Sequence, residues 1–548
     1  MTRCGQSLAL LAFGALHLGA LAGAQDPAWD AAQARGTIHA DCGRSARRLL
    51  RGWLEQKQDA ETHLYSREGT WDYHNEAADH YSSLVLIAFY VEPGLIERGG
   101  ALHSTLASSQ RLCSTPSGIP TTYDLKRRAQ GRAASLGELA EWLRDGLVRI
   151  VEVVGTENDW FREMERLTDA LLAEAERRGG MFAAFRGHEA AGSILQTLAR
   201  LYALSAKEPH LRAAEELADA FLLEPRHAIG QVRFGDHGCE LVPGLAELFA
   251  LECQLARPKA KAYQKPLQRL LDRILESGAH PETGLFCENG GQPPDTWGYV
   301  LFAYENYDRA TGSHLHFALS RQVPNEDVTP GRYRAAIEKP LRWLARNRAS
   351  YPALRSSLWP RSSSSDDWSD SYESMIVLWN RFPRVEGAFE WLDWATLQHV
   401  HRRHPDREYG PFTGGHFDGS TGRTLVLHMM ACSQGVRCVP FTEGLRLGGV
   451  QRDGTLFLVL DSDVAWRGRL RFDGPRAEHK GARLDWARIN EMPQWFVARP
   501  RGKYSVAIGA AEPATLTGSQ LSDGLEVAVE PRKPCRILVK PLSLPGPP

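Results

Sequence analysis

The chain has 548 residues, 65 Lys and Arg against 66 Asp and Glu, a formal net charge of -1 at pH 7 and 43% hydrophobic residues. That length carries two or three domains with sizeable cores. The balanced charge, with no long basic run, gives no support to nucleic-acid binding.

In chain order, residues 1–24 have the form of an export leader: Arg3, an apolar run from Leu8 to Leu21, then small residues Ala22, Gly23 and Ala24 before Gln25. The run is short for a membrane span and no later segment is long and apolar enough to be one, so a secreted or periplasmic protein without membrane insertion is expected. Of the cysteines that follow, Cys432 and Cys438 are the candidate disulfide pair.

From residue 25 to about 442 helical periodicity dominates, in Ser45–Leu54, Leu136–Val153, Trp160–Arg177, Glu189–Ala206, Leu211–Leu222, Leu241–Leu255, Tyr263–Ser277, Trp297–Thr311, Tyr333–Ala349, Tyr372–Asn380 and Gly387–His401. The stretch Gly99–Lys126 reads as irregular around one helix from His103 to Leu112. Several apolar helices are preceded by polar, glycine-bounded openings: Trp71–His80, Gly187–Gly192, Arg233–Glu240, Gly291–Gly298 and Ser365–Glu373. Turns of the form Gly-x-Phe recur at Gly180–Phe182, Gly284–Phe286 and Gly415–Phe417. Repeats spaced by roughly fifty residues imply stacked helical hairpins, in an open solenoid or a closed ring. The stretch between Phe89 and Leu136 leaves the number of hairpins open.

Past about Thr442 the pattern shifts to short alternating runs, Thr455–Leu460, Trp466–Phe472, Trp495–Ala498, Tyr504–Ile508, Leu525–Glu530 and Arg536–Lys540. Asp453-Gly454, Asp473-Gly474 and Arg501-Gly502 serve as turns. Residues 443–548 are therefore expected to form an antiparallel β-sandwich behind a helical domain of residues 25–442.

The hairpin repeat, the Gly-x-Phe turns, the polar openings and the C-terminal β-domain together resemble the six-hairpin glycosidase superfamily, and helical-toroid polysaccharide lyases are similar. The resemblance implies a mainly α (α/α)6 toroid followed by a β-sandwich, and glycan chemistry at the wide mouth of the ring. Toroidal lanthionine cyclases bind zinc with an adjacent Cys-His pair and β-L-arabinofuranosidases with neighbouring cysteines; this sequence has neither.

Glycosidic hydrolysis needs a protonated acid on the leaving oxygen and a second carboxylate as base or nucleophile. Asp236 and Asp295 lead the catalytic candidates, followed by Asp72 and Asp370; Glu189, Glu288, Asp366 and Glu373 also lie at openings. Asp72, Glu76 and Asp79 share one helical face, which alone reads as a solvated face. The alternative reading of Asp236 and of Asp295 is a helix cap, the commoner role of Asp before a helix. Trp71, Trp297, Tyr299, Trp368 and Tyr372 are candidate sugar-facing aromatics, although most aromatic side chains are simply core. His74, Glu76, His188, His237, Glu240 and Asp367 complete the expected substrate-binding set.

A lyase would need a Tyr or His base and a neutraliser for a uronic carboxylate, and a non-catalytic glycan binder would need neither. No cofactor is expected. Zinc at His237, Cys239, Glu240, Cys287 and Glu288, or calcium at Asp366–Asp370, has only weak support.

Overall fold

In the computed structural model the structure describes residues 26–224, 227, 229–235, 237–312, 331–350, 354, 357–361, 365–400, 419–476, 478–479 and 481–543. The expected leader, Asp236 and the expected Gly415–Phe417 turn lie outside them, as do the side chains of 365, 366 and 397–400.

The helices are α1 (Pro27–Gln56), α2 (Ser82–Val91), α3 (Ala101–Leu112), α4 (Leu136–Glu141), α5 (Arg149–Val154), α6 (Asp159–Arg177), α7 (Met181–Ala184), α8 (His188–Ser205), α9 (Glu208–Leu222), α10 (Leu241–Gln254), α11 (Pro258–Gly278), α12 (Tyr299–Thr311), α13 (Arg334–Asn347), α14 (Ser365–Arg381), α15 (Ala388–Val400), α16 (Gly419–Ser433) and α17 (Gly518–Asp523). Two π-helical turns, Asn75–Tyr81 and Trp142–Val148, lead into α2 and join α4 to α5.

Burial sorts the helices into two layers. α6 buries Trp160, Met164, Leu167, Leu171 and Ala175 along one stripe and leaves most of its charges outside, the pattern of an outer helix. α8, α10 and α12 are buried on nearly every face, the pattern of an inner wall. The wall runs through α2, the α4–α5 segment, α8, α10, α12, α14 and α16, and closes where α16 meets α2. The stretch between Phe89 and Leu136 supplies α3 and leads into the α4–α5 wall segment. Glycines set the spacing of the wall: a Cβ on Gly192 of α8 would lie 2.3 Å from the Glu240 carbonyl carbon, and one on Gly298 2.4 Å from Ser374 Cβ. The chain is thus a toroid of helical hairpins followed by an antiparallel β-sandwich, the expected class.

The sandwich packs a five-stranded sheet, Ala514–Thr517, Lys503–Ile508, Cys535–Ser543, Thr455–Asp461 and Arg446–Arg452 in spatial order, on a three-stranded sheet of Leu525–Val529, Trp466–Arg471 and Arg437–Val439. Alternate residues face inward, Leu456, Leu458 and Leu460 from one sheet meeting Trp466, Leu470, Val527 and Val529 from the other. α1 bridges the two units, Arg35 Nη1 donating to the Gly449 carbonyl at 3.0 Å. A small sheet of Thr70–Trp71, Thr121–Asp124 and Ala129–Ala133 takes its middle strand, Thr121–Asp124, from the stretch read as irregular.

One expected strand does not form. Trp495–Ala498 holds only an isolated bridge, Asp473 to Val497, because Trp495 is drawn into the helical core against Trp379, with ring centroids 5.0 Å apart. It ends a strap, residues 484–495, that leaves the β unit and is gripped by the inner wall. Arg488 forms hydrogen bonds with Glu152 of α5 at 2.9 and 2.7 Å. Arg200 of α8 donates to the Ile489 carbonyl at 2.9 Å, and Trp486 Nε1 to Glu247 of α10 at 2.8 Å. Asn306 of α12 exchanges two hydrogen bonds with Ala487, both 2.8 Å, and Glu491 pairs with Arg381 of α14 at 2.7 Å. Held from so many wall segments, the strap fills the middle of the ring.

The eight described cysteines are all free thiols. Cys432 ends α16, whereas Cys438 lies on a strand in the sandwich core, so the candidate pair is not bonded.

Candidate active site

Polar groups gather where wall helices begin, above the strap. The turn before α10 is shaped by Glu288, whose Oε1 accepts from the backbone N–H groups of Phe234 at 2.8 Å and Gly235 at 3.3 Å. Thr296 Oγ1 adds a 2.6 Å bond to the Phe234 carbonyl. The turn presents His237, whose side chain is 31% exposed and so can meet a ligand, and whose Nδ1 lies 2.6 Å from Glu240 Oε1. Burial opposes its charge, but the Glu240 carboxylate holds the imidazole well above its ordinary pKa, so Nδ1–H donates.

Glu240, fully buried, also accepts from Ser193 Oγ at 3.1 Å and pairs with Arg144. Arg144 bonds Asp145 through two nitrogens, at 2.5 and 2.6 Å. Against burial, Arg144 draws both carboxyls below their ordinary range.

Facing them, Arg423 of α16 donates to Asp370 Oδ1 at 2.5 Å and lies 2.9 Å from Glu373 Oε2, which also accepts from Tyr299 OH at 3.1 Å. Asn490, at the top of the strap, stands between the halves. Its Nδ2 donates to Asp145 at 2.5 Å, its Oδ1 accepts from Arg423 at 2.8 Å and Arg149 at 3.2 Å, and its backbone N–H donates to Glu373.

Asp295 and Asp367 form a carboxyl pair at the adjoining starts of α12 and α14. Asp295 Oδ1 accepts from the Thr296 N–H at 3.0 Å, and its carbonyl from Ser371 Oγ at 3.1 Å. Burial, then the hydrogen-bonded Asp367 carboxyl, pushes Asp295 up to about 6. Asp367 and Asp370 are one helical turn apart on α14, so one face carries both.

The remaining candidates fall elsewhere. Asp72 Oδ1 accepts from the N–H groups of His74, Asn75 and Glu76 at 3.1, 2.8 and 3.2 Å, which makes it the cap of the π-helical turn. Glu76 turns inward to the Arg67 N–H at 2.8 Å, and burial pushes it up to about 7. His74 is bonded to Glu141, which raises it to about 9. His188 packs edge-on against Phe221 with centroids 6.3 Å apart, and Glu189 points to solvent.

Trp71 and Trp297 are 1% and 0% exposed, so neither has a face free to stack on a sugar. Trp368 packs on Trp394 at 5.4 Å, and Tyr372 OH meets His428 Nδ1 at 2.8 Å. For these four aromatics the core reading holds. Among the described residues no three His, Cys, Asp or Glu side chains are grouped to hold a metal ion. Cys287 Sγ instead donates to the Gly278 carbonyl at 3.8 Å.

Arg144, Asp145, Arg149, Arg423 and Asn490 were not anticipated. Arg144 and Asp145 carried a signal, a charged pair between Leu143 and Gly146 in a segment buried all round.

No family model matches the chain and no curated protein sequence matches it. Among solved structures it is similar to the GH76 α-1,6-mannanase of Salegentibacter sp. HEL1_6, at TM-score 0.36 and 11% identity over 59% of this chain and 95% of that one. It is also similar to a GH127 β-L-arabinofuranosidase from Geobacillus stearothermophilus T6, at TM-score 0.33 and 10% identity over 84% and 80%. No helix among the described residues is long and apolar enough to cross a membrane.

Proposed function

We propose that the chain is an exported glycoside hydrolase acting on an oligo- or polysaccharide, with Asp295 as the proton donor. The observation that carries this reading is the Asp295–Asp367 carboxyl pair. Two carboxyls that share a site hold one proton more tightly than either would alone, and a glycosidase acid must arrive protonated near neutral pH. With Asp295 at about 6, a useful fraction carries that proton. It passes to the glycosidic oxygen as the bond to the anomeric carbon breaks.

The oxocarbenium-like charge left on the sugar needs a carboxylate beside it, as nucleophile or as the base for a water. Asp370 fills that role, fixed by Arg423 at 2.5 Å and one turn from Asp367. Asp236, next to His237 in the sequence, is the second carboxylate available to it. His237, protonated and part-exposed, donates to a sugar hydroxyl, with Glu240 and Arg144 holding the ring in place. No cofactor enters this scheme.

The test is turnover of neutral and uronic polysaccharides, followed together by reducing ends and by ultraviolet absorbance of an unsaturated product. Reducing ends alone are expected. Asp295→Asn is expected to lose about 10²–10⁴-fold of the rate, the usual worth of a positioned acid. Turnover should fall as pH rises through about 6, as the donor loses its proton. Full turnover in both Asp295→Asn and Asp370→Asn would end the assignment, absorbance would indicate a lyase, and binding without turnover a lectin-like protein.

A further inference from the structure

We propose that Asn490 is a positioning residue of this site: the strap carries it in from the β unit to lock the Asp145 half and the Arg423 half at a fixed separation. The inference rests on the reading that these groups form the reaction site.

Four hydrogen bonds converge on this one residue. The side-chain amide gives its donor to Asp145 and its acceptor to two guanidiniums, and the backbone N–H serves Glu373. The short, planar amide sets its donor and its two-lone-pair acceptor on separate atoms at a fixed separation, so one side chain joins an acid on one side to two guanidiniums on the other, which an aliphatic group cannot do. The backbone at Asn490 has φ +59°, in the left-handed region that Asn tolerates better than other non-glycine residues. Asn490 is 7% exposed, and the flanking contacts of Ile489 with Arg200 and of Glu491 with Arg381 prevent it from sliding along the ring axis.

Arg149 reinforces the point. It is 3% exposed, and among the described residues its Nη atoms donate to Ser82, Ser83 and Asn490 rather than to a carboxylate, while its buried Nε makes no hydrogen bond. Removing the Asn490 acceptor sends Arg149 toward Asp145, the carboxylate that acts on it most strongly and that loses the Asn490 donor at the same time. Asp145 then bonds Arg144 less, Arg144 turns more fully to Glu240, and Glu240 holds the His237 proton less tightly. The charged groups around His237 are Glu240 on its own turn, Arg144 and Asp145 from the α4–α5 segment, and Asp370 from α14. An acid at position 490 acts the other way: it adds negative charge to the network and raises the proton affinity of His237.

The experiment is NMR titration of the His237 ring in the full chain, assigned by loss of its signal in His237→Asn. Asn490→Ala is expected to lower the proton affinity of His237 about threefold, and Asn490→Asp to raise it about threefold. Opposite signs are the signature of positioning, since a merely structural role moves both the same way. Gln494→Ala, which loosens the strap at its bond to the Gly474 carbonyl, 2.7 Å long, is the control and is expected to leave His237 unchanged. Asn490→Asp keeps the shape and the left-handed tolerance, so it decides the matter if Asn490→Ala does not fold. No rise in Asn490→Asp, shifts of the same sign, or an equal shift in Gln494→Ala would overturn the proposal. Because the readout is a proton affinity, it stands or falls apart from the polysaccharide assays.

Discussion

Replacing Glu152 by Gln removes the charge that anchors the strap at Arg488. Both side chains are 1% exposed, and their closest approach is 2.7 Å. At an effective dielectric constant of about 20, two unit charges at that distance attract by roughly 6 kcal/mol. The amide keeps one acceptor, and Glu491 Oε1 lies 3.7 Å from Arg488 Nη1, so part of that attraction survives. Breaking a buried pair from one side costs about 3–5 kcal/mol, and the residual partner places this case near 3.

The assay is hydrogen exchange of the strap amides. The Ala487 N–H is bonded to Asn306 and the Asn490 N–H to Glu373, so both exchange only when the strap lifts. A loss of about 3 kcal/mol makes them exchange roughly a hundredfold faster. Exchange within threefold of the wild type would refute the reasoning, because the pair would then be worth no more than a solvated one.

Other expectations concern single positions. Glu76 has its pKa raised from 4.5 to about 7, so the folded state holds its proton more tightly than the unfolded chain. Its contribution to stability is complete below about 4.5 and lost as pH rises through about 7, a swing on the order of 3 kcal/mol. Glu76→Gln should flatten that dependence, as urea unfolding at several pH values would show; an unchanged profile would place the titration elsewhere. Gly192→Ala would press a methyl group 2.3 Å from the Glu240 backbone, an overpacking cost of about 1–3 kcal/mol. The same urea assay measures it, and a neutral result would mean that α8 and α10 can part freely. Trp297→Ala should destabilise by about 3–5 kcal/mol, as loss of a buried ring does, and a loss of ligand affinity at unchanged stability would restore Trp297 as a sugar platform.

The helical layers were legible because their signal is periodic and local: an apolar stripe for α6, apolar residues all round for α8 and α10. Five of the six expected strands were legible for the same reason. Trp495–Ala498 alternates like a strand, but Trp379 and the helical core compete for Trp495 and prevail. The polar openings gather at one end of the ring, and His237, Glu240, Asp295, Tyr299, Asp367 and Asp370 come together there. Asp72 and the tryptophans were ambiguous because a cap and a catalyst, or a platform and a core ring, use the same residues. Burial separates these roles, and one sequence does not report it. Asn490 was out of reach, since it joins the site only through a chain reversal that brings residue 490 between residues 145 and 423.

The strap also sets an order of events during synthesis. Glu152, Arg200, Glu247 and Arg381 are made long before Trp486, Arg488, Ile489 and Glu491, yet they line the interior those residues fill. Until position 495 has left the ribosome Glu152 lacks Arg488 and Arg381 lacks Glu491, and burying charges without their closest partners is costly. The hairpins can form as they emerge, but the ring gains its full cohesion only when nearly the whole chain has been translated. Shortened chains ending before the strap therefore face longer exposure of apolar surface and greater reliance on chaperones.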